Sequence, residues 1–308
     1  MNRAGVYVFN EIAQAGARLA AEFPDVKVID ISGGVPHGVT AEILFGGWGP
    51  HSIDAVSAGV RWVQLSGTGI NNIRPEILAA PTVTCARGAS AIPISEYVLG
   101  TMLAFGRGFP QHWLRDVPKH WNFQRMTTLD GATLGLVGLG GIGERVARLA
   151  LGFGMRVVAV RRTDAPSPVP EVEIVTDLDR LLAVADHLVL AAPGTERTHH
   201  LIDAAALAKV KPGVHLVNIA RGSLIDQDAL RAALDDGRVA RASLDVCDPE
   251  PLPAGHWLYE HPQVFLTPHS SWSSTAFFDA AIDIFCRNLG HWLAGEPLEH
   301  LIDRAEGY

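Results

Sequence analysis

The stretch of residues 133–143 constrains the fold of this chain more strongly than any other. It begins with the apolar run Thr-Leu-Gly-Leu-Val, which is typical of a short β-strand, and helical periodicity follows over residues 144–151. Between them stand Gly138, Gly140 and Gly143 with the spacing Gly-x-Gly-x-x-Gly. The first glycine of such a turn lets the chain leave the strand, the second lets the backbone approach a pyrophosphate, and the third lets the helix pack closely. Residues 138–143, here called the glycine turn, therefore predict a phosphate-binding site at a helix N-terminus.

The surroundings of the glycine turn decide between two interpretations. The glycine spacing alone also fits an ordinary βα turn. A second apolar run at residues 155–160 follows at the distance of one βαβ crossover, which favours the functional interpretation. We therefore predict that the turn binds a dinucleotide, and that Gly141 and Ile142, which complete it, also contact the cofactor.

The bulk properties of the chain exclude several classes of protein. A length of 308 residues suggests about two domains, and 48% hydrophobic with 19% charged residues is ordinary for a globular protein. No segment approaches the apolar length of a membrane span. A net charge of −8 does not indicate the basic surface that binds nucleic acid. We expect neither a membrane nor a nucleic acid as a partner.

The N-terminal sequence and the cysteines bear on the compartment. The first residues lack the apolar core and the cleavage site of a secretory signal. Cys85, Cys247 and Cys286 are odd in number and widely spaced, which favours reduced thiols over a disulfide framework. These features predict a cytoplasmic protein. Cys247 stands among polar candidate residues, and we interpret it as a small buried hydrophobe, with a nucleophile as the alternative.

Alternating strand-like and helical segments predict the fold class. Strand-like runs lie at residues 6–9, 26–30, 42–45, 62–65 and 82–84, and after the glycine turn at residues 187–192, 213–220, 241–246 and 264–267. This alternation is typical of an α/β fold with parallel sheets covered by helices. Further helices are predicted at residues 12–23, 94–105, after Pro93, and 272–293, and the last of these could cross back to complete the N-terminal domain.

Two glycine-rich loops follow strands of the N-terminal part, where open α/β sheets bind ligands. One loop contains Trp48, which either contributes to a substrate pocket or packs on the surface. In the other loop the backbone N–H groups of Gly67, Thr68 and Gly69 form a candidate nest for a carboxylate, with a plain βα turn as the alternative.

The segment of residues 111–130 carries three aromatic residues among polar ones. They are Trp113, Trp121 and Phe123. We interpret this segment as an arm that packs on the core or on another subunit.

The end of the second cofactor-domain strand indicates the cofactor. An NAD site normally has an acidic residue here for the ribose 2′-OH, whereas arginine accommodates a 2′-phosphate. This chain has Arg161 and Arg162, and no acid before Asp164. Guanidinium groups pair strongly with a phosphate, so the sequence favours NADP(H) as the cofactor and leaves NAD(H) as a second candidate. The alternative interpretation of the two arginines is a solvated basic turn.

An arginine, a carboxylate pair and a histidine follow consecutive strands and form the candidate chemical site. Arg221 can form a bidentate hydrogen bond to a substrate carboxylate through its guanidinium and can polarise a neighbouring carbonyl. His269 can exchange a proton near neutral pH. Glu250 can fix the imidazole tautomer and favour its protonated form, and Asp245 lies on the same strand end. Each residue alone is structural more often than catalytic, but their position beside a dinucleotide site predicts catalysis.

Taken with the glycine turn, these motifs resemble the D-isomer-specific 2-hydroxyacid dehydrogenases over nearly the whole chain. The matching stretches are the glycine turn, Ala192-Pro193, Asn218-Ile-Ala-Arg-Gly222, the run of residues 244–252, and Thr267-Pro-His269. The resemblance implies that Arg221, Glu250 and His269 are catalytic, and it favours a carboxylate role for residues 67–69. It also implies that Asp245 contacts the nicotinamide carboxamide. The other expected cofactor contacts are Pro193, Thr198, Ile219 and Ala220.

The resemblance also implies an architecture and an assembly. We expect two Rossmann-like domains with doubly wound parallel sheets, the smaller of them discontinuous. The predicted substrate domain comprises residues 1–95 and 276–308, and the predicted dinucleotide domain comprises residues 96–275. A homodimer is expected.

Departures from the family pattern bear on the substrate and leave the expected reaction type unchanged. Arg161 resembles the NADPH-linked glyoxylate and hydroxypyruvate reductases, and Glu250 stands where formate dehydrogenases of the superfamily carry glutamine. Asn71 replaces a common aspartate, and residues 270–272 are not the commonest sequence after the histidine. We expect NADPH-dependent reduction of a small, glyoxylate- or hydroxypyruvate-like 2-oxo acid to the D-2-hydroxy acid. The alternatives are a bulkier aryl or branched substrate, a dinucleotide-sensing corepressor-like protein, and a different Rossmann enzyme such as a hydrolase.

Overall fold

A computed structural model describes residues 6–70, 72–109, 111–122, 125–162 and 166–304. Three residues used in the sequence arguments, Asn71, Phe123 and Asp164, lie outside the described residues. The chain divides into two compact units, Met1–Ser90 with Ser274–Tyr308, and Ala91–Ser273, which are called unit 1 and unit 2. Each unit is built around one parallel sheet.

Unit 1 contains a five-stranded sheet with the order β2-β1-β3-β4-β5. Its strands are β1 (Tyr7–Asn10), β2 (Lys27–Asp30), β3 (Ile43–Gly46), β4 (Trp62–Leu65) and β5 (Thr82–Thr84). All neighbouring strands are parallel, so their carboxyl ends meet at one edge. The helices of this unit are α1 (Ala15–Glu22), α2 (Ser52–Ser57), α3 (Pro75–Leu78) and α9 (Thr275–Ala294).

The helices of unit 1 begin later than the sequence predicted. The helix expected from residue 12 starts at Ala15, because the Asn10 amide pairs with both backbone groups of Ile12 and holds that segment in a turn. The helix expected from residue 272 starts at Thr275, because the Ser274 hydroxyl accepts the N–H of Phe277 as an N-cap.

Helix α9 returns to the sheet of unit 1 through a buried amide. Asn288 is fully buried, and its Nδ2 donates to Oε1 of Gln64 (2.9 Å) and to the carbonyl of Glu299 (3.1 Å). Its Oδ1 accepts the N–H of Glu299 (2.7 Å). These bonds join the C-terminal segment to the N-terminal sheet, as the discontinuous arrangement requires.

Unit 2 contains a seven-stranded parallel sheet with the order β12-β11-β10-β9-β6-β7-β8. Its strands are β6 (Thr133–Val137), β7 (Arg156–Val160), β8 (Glu173–Val175), β9 (His187–Leu190), β10 (Val214–Asn218), β11 (Val239–Leu244) and β12 (Val264–Leu266). Its helices are α4 (Ala91–Arg107), α5 (Gly141–Gly152), α6 (Leu178–Val184), α7 (Ala204–Leu207) and α8 (Gln227–Asp235).

The strands of unit 2 bury side chains on both faces, which is why they read as continuous apolar runs. Leu136 and Val189 pack toward a cluster that includes α4 and α5, whereas Val137 and Leu188 pack toward a cluster that includes α6 and α8. The strand period of two residues therefore supplies two cores. The predicted α/β class with parallel sheets is confirmed.

Several predicted boundaries in unit 2 were wrong. Helix α4 begins at Ala91 and includes Pro93 in its first turn, where the missing N–H has no helical partner in any case. Strand β10 is shorter than predicted at both ends, and β11 lies two residues earlier than predicted. Strand β8, with exposed or half-buried residues at two of its three positions, was missed.

The predicted arm contains no regular secondary structure over its described residues, 111–122 and 125–130. Trp113 and Trp121 are 59% and 67% exposed, and Val117 is 94% exposed, so these side chains do not pack on the core of the same chain. Leu129, near the end of the arm, is buried in the core of unit 2.

Among the described residues, no helix is long and apolar enough to cross a membrane.

Candidate active site

The glycine turn has the geometry of a phosphate cradle. Gly138 has a φ of +101°, and a Cβ there would lie 2.8 Å from the carbonyl oxygen of Ala191. A Cβ on Gly143 would lie 2.4 Å from the carbonyl oxygen of Gly138, so both positions exclude larger residues. By contrast, a Cβ on Gly140 or Gly141 would meet nothing within 4 Å, and among the described residues no side chain caps the start of α5. Open space thus lies at the helix N-terminus, where N–H groups lack helical partners, and this fits a dinucleotide pyrophosphate.

The two arginines lie beside this turn. The Gly138 N–H donates to the carbonyl of Val160 (2.9 Å), so the end of β7 adjoins the glycine turn. Arg161 is half-buried and its Nη1 donates to the carbonyl of Pro166 (3.2 Å), whereas Arg162 is exposed. Both cations stand at the strand end where a nucleotide ribose is expected.

The loop after β9 is folded by its own hydroxyls. Thr198 Oγ1 donates to the carbonyl of Pro193 (2.7 Å) and accepts the N–H of Thr195 (2.8 Å). The first role of Thr198 in the structure is therefore to shape this loop. Gly194 follows Pro193, and a Cβ on it would lie 2.8 Å from Cγ of Arg221, so the glycine leaves room for that side chain.

Arg221 is held at the end of β10 by its local backbone. The buried Asn218 side chain accepts the N–H of Ala220 (3.1 Å) and donates to the carbonyl of Arg221 (2.8 Å), which shapes the turn that contains Ile219. Arg221 Nη1 donates to the Ala220 carbonyl (2.6 Å). A Cβ on Gly222 would lie 2.0 Å from the carbonyl carbon of Cys247, so the loops after β10 and β11 are in backbone contact.

Glu250 and His269 form a hydrogen-bonded pair. Oε2 of Glu250 lies 2.8 Å from Nδ1 of His269, and Oε1 accepts the N–H of Cys247 (3.1 Å). Because an ionised carboxylate only accepts, Nδ1 carries the proton of this bond. Nε2 has no hydrogen-bond partner among the described residues, and the His269 side chain is 35% exposed. The hydrogen bond at Nδ1 thus fixes the orientation of the ring, and Nε2 is available to exchange a proton with a substrate.

The charges of this cluster influence one another. Desolvation would raise the pKa of Glu250, but the hydrogen bonds from His269 and Cys247 and the charges of His269 and Arg221 lower it overall. Burial lowers the pKa of Arg221, and the Glu250 carboxylate opposes that effect. The arrangement therefore keeps Glu250 ionised beside a cation and an imidazole.

Asp245 supports the loop that carries His269. Its Oδ1 accepts from the Thr267 hydroxyl (2.5 Å) and from the Ser270 N–H (2.9 Å), and its Oδ2 accepts from the Ser271 N–H (3.0 Å). Its backbone carbonyl accepts the His269 N–H (2.8 Å). Asp245 is 1% exposed, and its carboxylate accepts hydrogen bonds from the loop. The nicotinamide contact that the resemblance implies for it stays a prediction.

Two further residues complete this support: Tyr97, which sequence reasoning missed, and Trp272, which it named only as a residue that could shape the substrate pocket. Thr267 donates its only hydroxyl proton to Asp245, so the Tyr97 hydroxyl, 2.9 Å away, must donate to Thr267. Trp272 Nε1 donates to the His269 carbonyl (2.8 Å). His269 has a φ of +50°, a conformation that costs about 1–2 kcal/mol for a residue other than glycine. These bonds hold it there.

A buried hydroxyl, that of Ser271, lies two residues after His269 in the chain. Ser271 Oγ is buried and makes no hydrogen bond among the described residues. A buried hydroxyl of this kind requires a polar partner. Together with the open glycine turn, it indicates that this edge of the sheet fits the polar groups of a bound dinucleotide.

The glycine-rich loop of residues 67–69 in unit 1 has backbone N–H groups available to a ligand. Among the described residues, no hydrogen bond engages the N–H of Gly67, Thr68 or Gly69. The Thr68 hydroxyl donates to the carbonyl of Ala86 (3.2 Å), and the Ala86 N–H donates to the carbonyl of Gly67, so the loop is held in place from behind. Such a fixed loop with free donors can bind a carboxylate.

Cys247 is half-buried, and desolvation together with the charges of Glu250 and Asp248 raises the pKa of its thiol to about 11. A thiol with this pKa stays protonated near neutral pH, which disfavours a nucleophilic role.

Comparison with known proteins identifies the family. Residues 99–271 match the model of the D-isomer specific 2-hydroxyacid dehydrogenase family, NAD binding domain. The chain therefore belongs to the D-isomer specific 2-hydroxyacid dehydrogenases. It is an enzyme of the dehydrogenase and reductase class with an NAD(P)-binding domain.

Individual relatives cover most of the chain. A protein of Corynebacterium melassecola, described as an uncharacterized protein in the proB 3′ region, is 31% identical over 86% of this chain and 89% of its own length. A glyoxylate reductase of Thermofilum pendens is 34% identical over 72% of this chain and 68% of its own length. A crystal structure of a D-isomer specific 2-hydroxyacid dehydrogenase from Xanthobacter autotrophicus Py2, in complex with NADPH and MES, superposes with a TM-score of 0.83. It is 26% identical and covers 99% of this chain and 100% of its own, which confirms the prediction of two Rossmann-like domains.

Proposed function

We propose that this enzyme reduces a small 2-oxo acid to the D-2-hydroxy acid with NADPH, and that His269 is the proton donor. The observation that carries the proposal is the 2.8 Å pair of Glu250 and His269 at the carboxyl edge of the same sheet that bears the glycine turn. A proton donor and a dinucleotide cradle on one sheet edge are what carbonyl reduction requires.

Each proposed catalytic residue has one task. The bound nicotinamide dinucleotide supplies a hydride for the carbonyl carbon. His269 donates the proton to the carbonyl oxygen from its free Nε2, and Glu250 stabilises the protonated imidazole. Arg221 binds the substrate carboxylate and polarises the carbonyl. The N–H groups of residues 67–69 in unit 1 are a second set of carboxylate ligands.

The residues proposed for the cofactor are distributed along the sheet of unit 2. Gly138, Gly140, Gly141, Ile142 and Gly143 hold the pyrophosphate at the start of α5. Arg161 and Arg162 bind the 2′-phosphate, which favours NADPH over NADH. The loops after β9, β10 and β11 complete the site with Pro193, Thr198, Ile219, Ala220 and Asp245.

A small substrate is supported by crowding in unit 1. A Cβ on Gly67 would lie 3.0 Å from Cη2 of Trp48, so the indole lies directly over the proposed carboxylate loop. A glyoxylate- or hydroxypyruvate-like acid requires the least room beside this ring. The name of the Thermofilum pendens relative agrees with this substrate class.

The proposal is tested by following NADPH and NADH oxidation with glyoxylate, hydroxypyruvate, pyruvate, phenylpyruvate and a branched 2-oxo acid. We expect the highest kcat/KM with NADPH and one of the two smallest polar acids. Highest kcat/KM with phenylpyruvate or the branched acid would contradict the small-substrate assignment. Dinucleotide binding without turnover of any acid would contradict the reductase and favour a sensor.

We further propose that the enzyme is a homodimer whose interface includes residues 111–122. Leu114, Val117 and Trp121 are exposed apolar side chains on one irregular segment, and leaving such a surface in water is unfavourable. A second copy of the chain would bury it. Sedimentation equilibrium should give a dimer mass, and Trp113→Ala with Trp121→Ala should weaken association; a monomeric wild-type protein would contradict the proposal.

A further inference from the structure

The glycine-rich loop of residues 46–50, which contains Trp48, binds a carboxylate of the same chain. Oε2 of Glu11 accepts the N–H groups of Gly47 (2.7 Å) and Gly49 (3.2 Å), and Oε1 accepts the Ser52 hydroxyl (2.6 Å). Glu11 follows β1, and the loop follows β3, its neighbour in the sheet. The N–H groups of Gly47 and Gly49 are therefore already used by Glu11 and do not serve an external anion.

The glycines of this loop leave room for the Glu11 side chain in its observed position. A Cβ on Gly46 would lie 2.2 Å from Oε2 of Glu11, and a Cβ on Gly49 would lie 2.5 Å from Oε1. Gly46 also has a φ of +153°, which side chains rarely adopt. Glycine at positions 46 and 49 therefore lets the backbone on both sides of Trp48 lie close to the Glu11 carboxylate.

The opposite side of the loop rests on the end of β4. The Ser66 N–H donates to the carbonyl of Gly46 (3.2 Å), and a Cβ on Gly47 would lie 2.5 Å from Cδ2 of Leu65. Trp48 then reaches over Gly67, with Cη2 3.0 Å from the Cβ position of that glycine. A continuous set of contacts thus runs from Glu11 through the loop to Trp48 and to Gly67.

The geometry points to Glu11 as a positioning residue that holds Trp48 over the Gly67–Gly69 loop and thereby limits the size of the substrate side chain. The inference rests on the proposed function, since it takes residues 67–69 as carboxylate ligands. Trp48 is 45% exposed, so its own packing leaves it room to move, and its position depends on the backbone that Glu11 binds. Glu11 itself acts through Trp48 and need not touch the substrate.

The charge of Glu11 is what the loop requires. Its two oxygens receive three donors, and each such bond to a carboxylate is stronger than a neutral one. In Glu11→Gln the amide oxygen can still accept the N–H groups of Gly47 and Gly49, and the NH2 group would face the Ser52 hydroxyl, which also contacts the Gly49 carbonyl (3.0 Å). The loss of charge therefore turns two charge-assisted bonds into weaker neutral ones. We expect the loop to loosen and the indole to leave its place over Gly67.

Two measurements on Glu11→Gln separate a positioning role from a general loss of stability. Hydrogen exchange of the peptide spanning residues 46–52 reports directly on the N–H groups of Gly47 and Gly49. The ratio of kcat/KM for glyoxylate to kcat/KM for phenylpyruvate reports on the size limit. Glu42→Gln is the matched control, because Glu42 is exposed at the amino end of the same strand β3 and its side chain has no hydrogen bond among the described residues.

We expect faster exchange of residues 46–52 in Glu11→Gln and a fall in the selectivity ratio of about tenfold. Both quantities should be unchanged in Glu42→Gln. Ser52→Ala, which removes only one of the three donors, should show the same changes to a smaller extent. If Glu11 acts through Trp48, the selectivity effects of Glu11→Gln and Trp48→Ala will not add in the double variant.

Unchanged exchange, or an unchanged selectivity ratio in an active Glu11→Gln enzyme, would overturn the inference. Additive effects with Trp48→Ala would overturn the route through the indole. A wild-type protein that turns over no 2-oxo acid would overturn the proposed function and with it the size limit, whereas the exchange result would still decide whether Glu11 holds the loop.

Discussion

The Glu250 carboxylate and the His269 imidazole are joined through Oε2 and Nδ1 at 2.8 Å, and the opposite nitrogen of the ring is left without a partner among the described residues. A carboxylate in this place stabilises an imidazolium more than a neutral imidazole. The pair is thus suited to hold a proton at Nε2 and to release it to an oxygen acceptor.

Replacing the charge of Glu250 tests this coupling. In Glu250→Gln the imidazolium loses its counter-charge, so kcat should fall by about tenfold or more, with a smaller change in KM. Steady-state kinetics with the best 2-oxo acid measure both constants. Glu260→Gln, an exposed site in the same unit, serves as the control, and equal kinetics of both variants would refute the role of Glu250.

Arg221 should act mainly in substrate binding. Its removal deprives the 2-oxo acid carboxylate of a two-pronged, charged partner, which is worth about 2–3 kcal/mol. We expect kcat/KM of Arg221→Ala to fall by about 30- to 150-fold, chiefly through KM. Arg238→Ala, which removes a half-buried arginine paired with its near neighbour Asp236, should leave kcat/KM unchanged. A variant that loses kcat alone would show that Arg221 has another task.

The cofactor preference should depend on the two arginines after β7. Changing both Arg161 and Arg162 to alanine removes the proposed partners of the 2′-phosphate, so KM for NADPH should rise by about tenfold or more while KM for NADH changes little. Arg180→Ala, on the surface of the same unit, is the comparison variant. Equal increases for both cofactors would point to a general disturbance and not to phosphate recognition.

A buried histidine pair in unit 2 should make stability dependent on pH. His187 and His215 approach through their Nδ1 atoms at 3.1 Å, and His215 also contacts the Ser243 hydroxyl. Burial lowers the pKa of His187 to about 4, against the opposing charge of Asp186. Burial also lowers the pKa of His215, as do the charges of His187 and Arg241.

The sign of the pH effect follows from these lowered values. Below its ordinary pKa of 6.5 an unfolded His187 binds a proton that the folded one refuses, so the free energy of unfolding falls as the pH decreases from 6.5 toward 4. From about pH 7.5 to about pH 5 this residue alone should account for a loss of about 2 kcal/mol. Urea unfolding of wild type and His187→Asn measures the difference. The same pH dependence in both, or a change in the exposed control His199→Asn, would contradict it.

The limits of strands and helices were predicted best where they depend on the local sequence pattern. Strands β4, β5 and β6 have the predicted limits. In β4 and β6 the residues are buried at every position, and each strand ends where the turn residues Ser66 and Gly138 begin. The start of α9 was wrong since Trp272 continues the apolar periodicity, whereas its indole is used by the His269 carbonyl and Ser274 caps the helix.

Contacts between distant segments were beyond sequence reasoning. The bond between Tyr97 and Thr267 spans 170 residues, and Glu11 meets its loop across 36 residues, so neither has a spacing signal. Glu250 and His269 were found because both belong to recognisable motifs at strand ends, and the structure brings them into contact. Their catalytic roles stay predictions.

The measurement that tests the central claim most directly compares wild type with His269→Ala in NADPH-dependent reduction of glyoxylate and hydroxypyruvate, with NADPH affinity measured in parallel. We expect turnover to fall by about 100-fold or more while the Kd for NADPH stays within about threefold, because only the proton donor is removed. Turnover of His269→Ala close to that of the wild type would contradict the account.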